Sequence, residues 1–177
     1  MNFSFTIIRL GGKNKRCQYY SIVKEGDELH EASKFITNER NQNSPDYKRL
    51  LQRQKLIKDR HGARWNYFKD EGKDDSLVKA LHAGKKRKTG YIEQNNLRWY
   101  CIRLSERCVL FGNGGVKHVR KTQEDTHLDD KESDMRWVDR CIDAAIKAGD
   151  LGEDVDGNLF GRLDFNLKDV IEDYGLL

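Results

Sequence analysis

No stretch of the chain approaches the roughly 20 consecutive apolar residues that a membrane-crossing helix needs. The opening Met1-Asn2-Phe3-Ser4-Phe5 has neither the basic start nor the small-residue cleavage site of a secretory signal. The expectation is a soluble, cytoplasmic protein with no membrane partner. Four cysteines (Cys17, Cys101, Cys108, Cys141) make no Cys-x-x-Cys pair, and the five histidines supply no close pair either. Structural zinc asks for such pairs, so the thiols are expected to be reduced and buried, with no metal or other cofactor. Walker loop, nucleophile elbow and metalloprotease helix are all missing. Asp154, Asp156 and Gly157 mimic part of a calcium loop, but the alignment puts Gly152 at the first ligand and Leu163 where a bidentate glutamate belongs. No long-period repeat marks a solenoid.

What is there is charge and aromatic side chains. Charged residues make up 35% of the chain and apolar ones only 37%, yet three Trp, seven Tyr and seven Phe argue against disorder. A chain of 177 residues suits one domain that folds without staples. The net charge of +4 is unevenly laid out. Residues 124–177 hold 16 acidic and 6 basic side chains, a net of −10. The preceding 123 residues hold 27 basic and 13 acidic ones, a net of +14. This division predicts a basic body over 1–123 that faces a polyanion, and an acidic extension over 124–177 packed on the same domain.

Periodicity predicts an α+β fold. Phe3, Phe5 and Ile7 alternate, Gly11-Gly12-Lys13-Asn14 turns, and Cys17–Val23 returns, which reads as an N-terminal β-hairpin. Asp27 is placed to cap a helix carrying Leu29, Ala32, Phe35 and Ile36. Ser44-Pro45 opens a second helix with Tyr47, Leu50, Leu51, Gln54 and Ile57 on one face, stopped by His61-Gly62. A meander follows: Leu97–Leu104, a turn at Ser105-Glu106-Arg107, then Cys108–Phe111 interrupted by Gly112-Asn113-Gly114-Gly115. Leu97–Leu104 is apolar on both pleat faces, as a central strand is. An acidic loop over Glu124–Glu132 precedes a helix capped by Ser133 and ended by Gly149, and Asp156-Gly157 turns a last hairpin. The elements expected are thus an N-terminal hairpin, two helices, a meander whose central strand is covered by helices on one side, and a C-terminal helix and hairpin extension.

The candidate chemistry lies in the meander. Gly112, Asn113, Gly114 and Gly115 permit a phosphate-binding nest of backbone amides, or simply a bulge. Lys117, His118, Arg120 and Lys121 fall within five residues, after Arg98, Tyr100, Arg103 and Arg107 on the hairpin before them. Cations beside an RNA phosphate stabilise the charge of a phosphorane. A neighbouring His, Tyr or Lys can take the 2′-hydroxyl proton or protonate the leaving 5′ oxygen. The candidate catalytic set is therefore Arg98, Tyr100, Arg103, Lys117 and His118. Lys85, Lys86, Arg87, Lys88, Arg107, Arg120 and Lys121 are the candidate nucleic-acid contacts. The competing reading has Arg98 and Arg103 lay their stems over apolar neighbours.

The runs Leu97-Arg98-Trp99-Tyr100-Cys101-Ile102-Arg103-Leu104 and Val109-Leu110-Phe111-Gly112-Asn113-Gly114-Gly115-Val116-Lys117 resemble the signature of the ParE-like toxins of bacterial type II toxin–antitoxin modules, within the RelE/ParE superfamily. Only Trp99 and Val116 depart from that pattern, where the family has Leu and Ile. The hairpin, the His61-Gly62-Ala63-Arg64 segment and the closing Gly157–Phe165 run also look similar. The resemblance implies a small twisted antiparallel sheet with helices packed on one face, and a toxin with one of two activities. One is metal-independent endoribonuclease cleavage of mRNA on the ribosome, the other non-enzymatic poisoning of DNA gyrase. It also implies a cognate antitoxin, expected to be a helix-turn-helix protein. Outside the resemblance stands a third reading, a non-toxic basic nucleic-acid-binding protein.

Overall fold

The computed structural model describes residues 1–70, 77–84, 94–117 and 126–176. Among these, seven strands form one mixed sheet in the order β3-β4-β5-β6-β2-β1-β9. They are β1 (Phe5–Arg9), β2 (Gln18–Lys24), β3 (Phe68–Asp70), β4 (Val78–Leu81), β5 (Leu97–Ser105), β6 (Cys108–Val116) and β9 (Asp164–Phe165). A small ribbon pairs β7 (Leu151–Glu153) with β8 (Leu159–Gly161). The helices are α1 (Glu31–Thr37), α2 (Glu39–Gln42), α3 (Tyr47–Leu56), α4 (Thr126–Ala148) and α5 (Leu167–Tyr174).

The α+β class holds, with two corrections. The sheet is mixed, because β2 runs parallel to β6, with Gln18 opposite Cys108 and Ser21 opposite Phe111. This pairing joins segments some ninety residues apart, and no local pattern encodes it. Helices also cover both faces of the sheet. Tyr100, Ile102, Leu110, Tyr20 and Ile22 meet Leu128, Met135, Val138 and Ile142 of α4 on one face. Trp99, Cys101, Phe111 and Tyr19 meet Phe35 of α1, Leu50 of α3 and Ile57 on the other. A strand apolar on both faces requires cover on both.

The glycine run is strand rather than interruption. β6 continues through it to Val116, with Gly114 opposite Trp99 and Gly115 opposite Arg98, and the register slips at a bulge between Trp99 and Cys101. A Cβ on Gly112 would overlap the Met135 side chain, and one on Gly114 would overlap the Arg98 carbonyl. Close packing, not an anion nest, explains these glycines.

Helix starts shift as well. His30 caps α1, its Nδ1 accepting from Ser33 N at 2.9 Å, while Asp27 instead pairs with Lys34 at 2.5 Å. α3 begins at Tyr47, and Ser44 Oγ accepts from Asp46 N at 3.2 Å. The buried Asp46 carboxylate accepts from Gln94 N and Asn95 N at 2.8 and 2.9 Å, fastening α3 to the entry of β5. α4 starts at Thr126, ahead of the expected Ser133, because Leu128 extends the buried stripe of Met135, Val138 and Ile142 by two turns. No helix among the described residues is long and apolar enough to cross a membrane.

Candidate nucleic-acid site

The sheet keeps the two expected catalytic arginines apart. Arg98 lies opposite Gly115 on the α4 face and is 4% exposed. Its guanidinium donates to Leu97 O at 3.2 Å and Asn96 Oδ1 at 3.3 Å. Tyr100 shares that face and is fully buried. Lys117 sits at the same end, its backbone N–H donating to Asn96 O at 3.2 Å. Nearby, a pocket of about 50 Å³ is lined by Arg40, Asn41, Gly115, His127 and Lys131, with room for a few waters. Arg107 is at the far end of the hairpin, 3.7 Å from Asp156 of the acidic extension. Lys85, Lys86, Arg87, Lys88, His118, Arg120 and Lys121 lie outside the described residues. Arg98 with Lys117, and Arg103 by itself, therefore define two places rather than one cleft.

Arg103 belongs to the opposite face, where a second group of candidate side chains gathers. Its Nε donates to Ala63 O at 2.5 Å, and its guanidinium lies 3.9 Å from the centroid of the Trp65 ring. Burial lowers the Arg103 pKa from its ordinary value, with Glu106 the largest opposing influence. An arginine remains a cation even so.

The segment that holds Arg103 follows α3. After Leu56 the helix widens into a π-helical turn, Ile57–His61, and Gly62 leaves it at φ +71°. π-helical turns of this kind recur at functional sites. The turn between β5 and β6 fixes the exit, because Glu106 O accepts from Ala63 N at 2.7 Å and stands 3.0 Å from where a Gly62 Cβ would be. A single 3-10 turn, Trp65–Tyr67, then leads into β3.

This loop sets His61 against Tyr67. His61 Nδ1 and the Tyr67 hydroxyl share a hydrogen bond, and the rings stack with centroids 6.0 Å apart. His61 is exposed, whereas Tyr67 is anchored in the core at 8% exposure. The Arg53 guanidinium covers the Tyr67 ring at 4.8 Å and donates to Asn66 O at 3.4 Å. Arg60 and Arg64, both exposed, bracket the imidazole in sequence. Upstream, a groove of about 380 Å³ on α3 is lined by Arg49, Gln52, Lys55, Leu56, Asp59 and Arg60.

Because Tyr67 engages Nδ1, Nε2 is the imidazole nitrogen left to act on a ligand. A fixed imidazole can move a proton, and exposed guanidinium groups close to it in the chain can neutralise phosphate charge. By sequence alone His61 reads as a helix stop. The signal present was a His, an Arg, a Trp and a Tyr within seven residues after a basic helix, the aromatic and basic interleaving of nucleic-acid surfaces.

The thiols stand apart from this chemistry. All four are buried, and burial pushes Cys17 and Cys141 up to about 12. It raises Cys101 and Cys108 as well. Thiols held protonated are poor nucleophiles.

Fold and site together define a mixed-sheet α+β domain with a basic, aromatic loop on one sheet face. In comparisons with known proteins the chain matches no family model, no curated protein and no solved structure.

Proposed function

We propose that this chain is the toxin of a bacterial type II toxin–antitoxin module, a metal-independent endoribonuclease that cleaves mRNA on the ribosome, with its chemistry at the His61–Tyr67 loop. One observation carries the reading: an exposed imidazole is held through Nδ1 by an anchored tyrosine whose ring Arg53 covers, with the exposed Arg60 and Arg64 flanking His61 in the chain. The ParE-like pattern of β5 and β6 supports the class, and the +14 body suits an RNA-rich partner.

In this mechanism the 2′-hydroxyl attacks the adjacent phosphorus and the bond to the 5′ oxygen breaks. His61 Nε2 either accepts the 2′ proton or donates one to the departing oxygen, water carries the other proton, and a 2′,3′-cyclic phosphate is left. Arg64 and Arg60 neutralise the charge that builds on the phosphoryl oxygens. Tyr67 orients the ring, and Arg103 holds the loop through Ala63 O. An antitoxin would cover this basic surface before release.

Inducible expression with transcript mapping tests the reading. Translation arrest with cut transcripts is expected, relieved by His61→Ala in a protein of unchanged fold. Intact transcripts beside arrested growth overturn it. Recovery of gyrase with DNA-damage signalling would then establish the non-enzymatic alternative, which the burial of Arg98, Tyr100 and Arg103 favours.

A further inference from the structure

Trp65 is the outlier among the tryptophans. Trp99 and Trp137 are 1% and 4% exposed, whereas Trp65 is 59% exposed. Each buried indole has a polar partner: Trp99 Nε1 donates to Gly112 O at 2.8 Å, and Trp137 Nε1 to Phe3 O at 2.9 Å. Trp65 is held by cations instead. Arg103 is 3.9 Å from its ring centroid and the Lys79 ammonium 5.6 Å away.

Both cations rise from the same side of the sheet. Lys79 is opposite Cys101 in the β4–β5 ladder, and Arg103 follows Cys101 by two. Both therefore approach the indole from the sheet, and more than half of the residue stays open to solvent. Lys79 is itself fixed by Asp70, and Arg103 by Ala63 O. The result is a preorganised aromatic surface with positive charge behind it. An indole needed only to cover Arg103 would gain by burying both faces.

We propose that the outward face of Trp65 is a stacking platform for one unpaired base of single-stranded RNA. Base–aromatic stacking tolerates any base, because every base has a π-face. Unstacked bases on aromatic rings are also how proteins hold single-stranded RNA. The α3 groove with Arg49, Lys55 and Arg60 offers cations for the flanking phosphates. The proposal deepens the endoribonuclease reading and rests on it for its substrate class: the strand offered to His61 would be held by one base on Trp65.

The test uses the full chain and a 2′-O-methyl RNA oligonucleotide of about eight nucleotides, which lacks the attacking hydroxyl and so reports binding alone. A matched set carries one abasic position each. Affinity is read by anisotropy, and Trp65 fluorescence by quenching on titration. Trp65→Ala is expected to weaken binding about 5- to 150-fold, with Trp65→Phe close to the native chain. One abasic position should reproduce the Trp65→Ala loss in the native chain and add nothing in the variant. Equal binding by Trp65→Ala and the native chain overturns the platform, as does indifference to every abasic position. A platform that binds while transcripts stay intact on expression leaves the proposal standing and removes only the nuclease reading.

Discussion

The two faces of the sheet are finished differently. On one, the 23-residue α4 lays Leu128, Met135, Val138 and Ile142 over a continuous apolar surface that closes around Tyr100 and Ile102. On the other, short helices cover Trp99, Cys101 and Phe111, and a π-helical turn with an aromatic loop completes the layer. Apolar burial makes the first face stable. The second trades part of that burial for Arg103, Arg53, His61 and Trp65, whose polar groups meet aromatic rings, backbone carbonyls or solvent. On the proposed function, stability and chemistry fall to opposite sides of the same strands, and substitutions on the two sides should fail in different ways.

The largest effect expected is on the loop side and leaves the fold alone. His61→Ala should lower the rate of RNA cleavage by about 10²- to 10⁴-fold, the usual contribution of a positioned proton-transfer group. The urea midpoint should stay near that of the native chain, because the imidazole is exposed. A matching loss of stability would instead make His61 a structural residue and break the contrast.

Next comes the opposite failure. Gly114→Ala places a Cβ against the Arg98 carbonyl, and backbone cannot move aside as a flexible side chain can. Destabilisation on the order of 3 kcal/mol is expected from urea unfolding, in keeping with overpacked interiors. Gly112→Ala meets only the Met135 side chain, which is flexible, so it should cost less. Equal costs would show that β6 is less tightly fixed between β5 and α4 than its register implies.

How far the sequence foretold these two sides follows from their physics. The hairpin, the double-sided β5, its turn at Ser105-Glu106-Arg107 and the helix under Val138 and Ile142 all rest on local periodicity, and they are legible in it. The parallel pairing of β2 with β6 is a non-local choice, so the sheet could not be read as mixed. The glycines of β6 looked like a break because a strand without side chains carries no periodic signal. They are strand because Met135 and the Arg98 carbonyl occupy the space. Arg98 and Arg103 are five apart on a strand, an odd spacing that sends them to opposite faces, as the alternation already required. Their proximity in sequence suggested a shared cleft all the same. His61 was legible as a helix terminus but not as a partner of Tyr67, because that contact depends on a π-helical turn and a 3-10 turn closing together.

A smaller effect should separate the roles of Arg103. Lysine in its place keeps a charge but loses the planar stack on Trp65 and the Nε bond to Ala63 O. Arg103→Lys should cost about 1–2 kcal/mol in urea unfolding. It should also raise the solvent accessibility of Trp65, read by acrylamide quenching. An unchanged accessibility would mean that the loop keeps its shape without the arginine, and that Glu106 O alone holds Ala63.

The smallest effect concerns a contact between the acidic extension and the turn between β5 and β6. Glu153 on β7 accepts a hydrogen bond from Ser105 Oγ, next to the Glu106 that holds the loop. Burial raises the Glu153 pKa above its ordinary 4.5, outweighing the bond from Ser105, and Asp154 adds to the rise. Between the unfolded and the raised folded pKa, the native state binds more protons than the unfolded chain. Stability contributed by this group therefore falls as pH rises through that window, and the cost stays constant above it. Glu153→Gln keeps an acceptor for Ser105 and removes the titration. The variant should match the native chain below the ordinary carboxylate range and exceed it at neutral pH. The gain should stay under ~1 kcal/mol, because a half-exposed carboxylate is screened by solvent. Parallel stability curves from pH 3 to 8 for the two chains would mean that Glu153 ionises at no cost to folding. The ribbon would then lie against the hairpin without electrostatic tension between the acidic extension and the basic body.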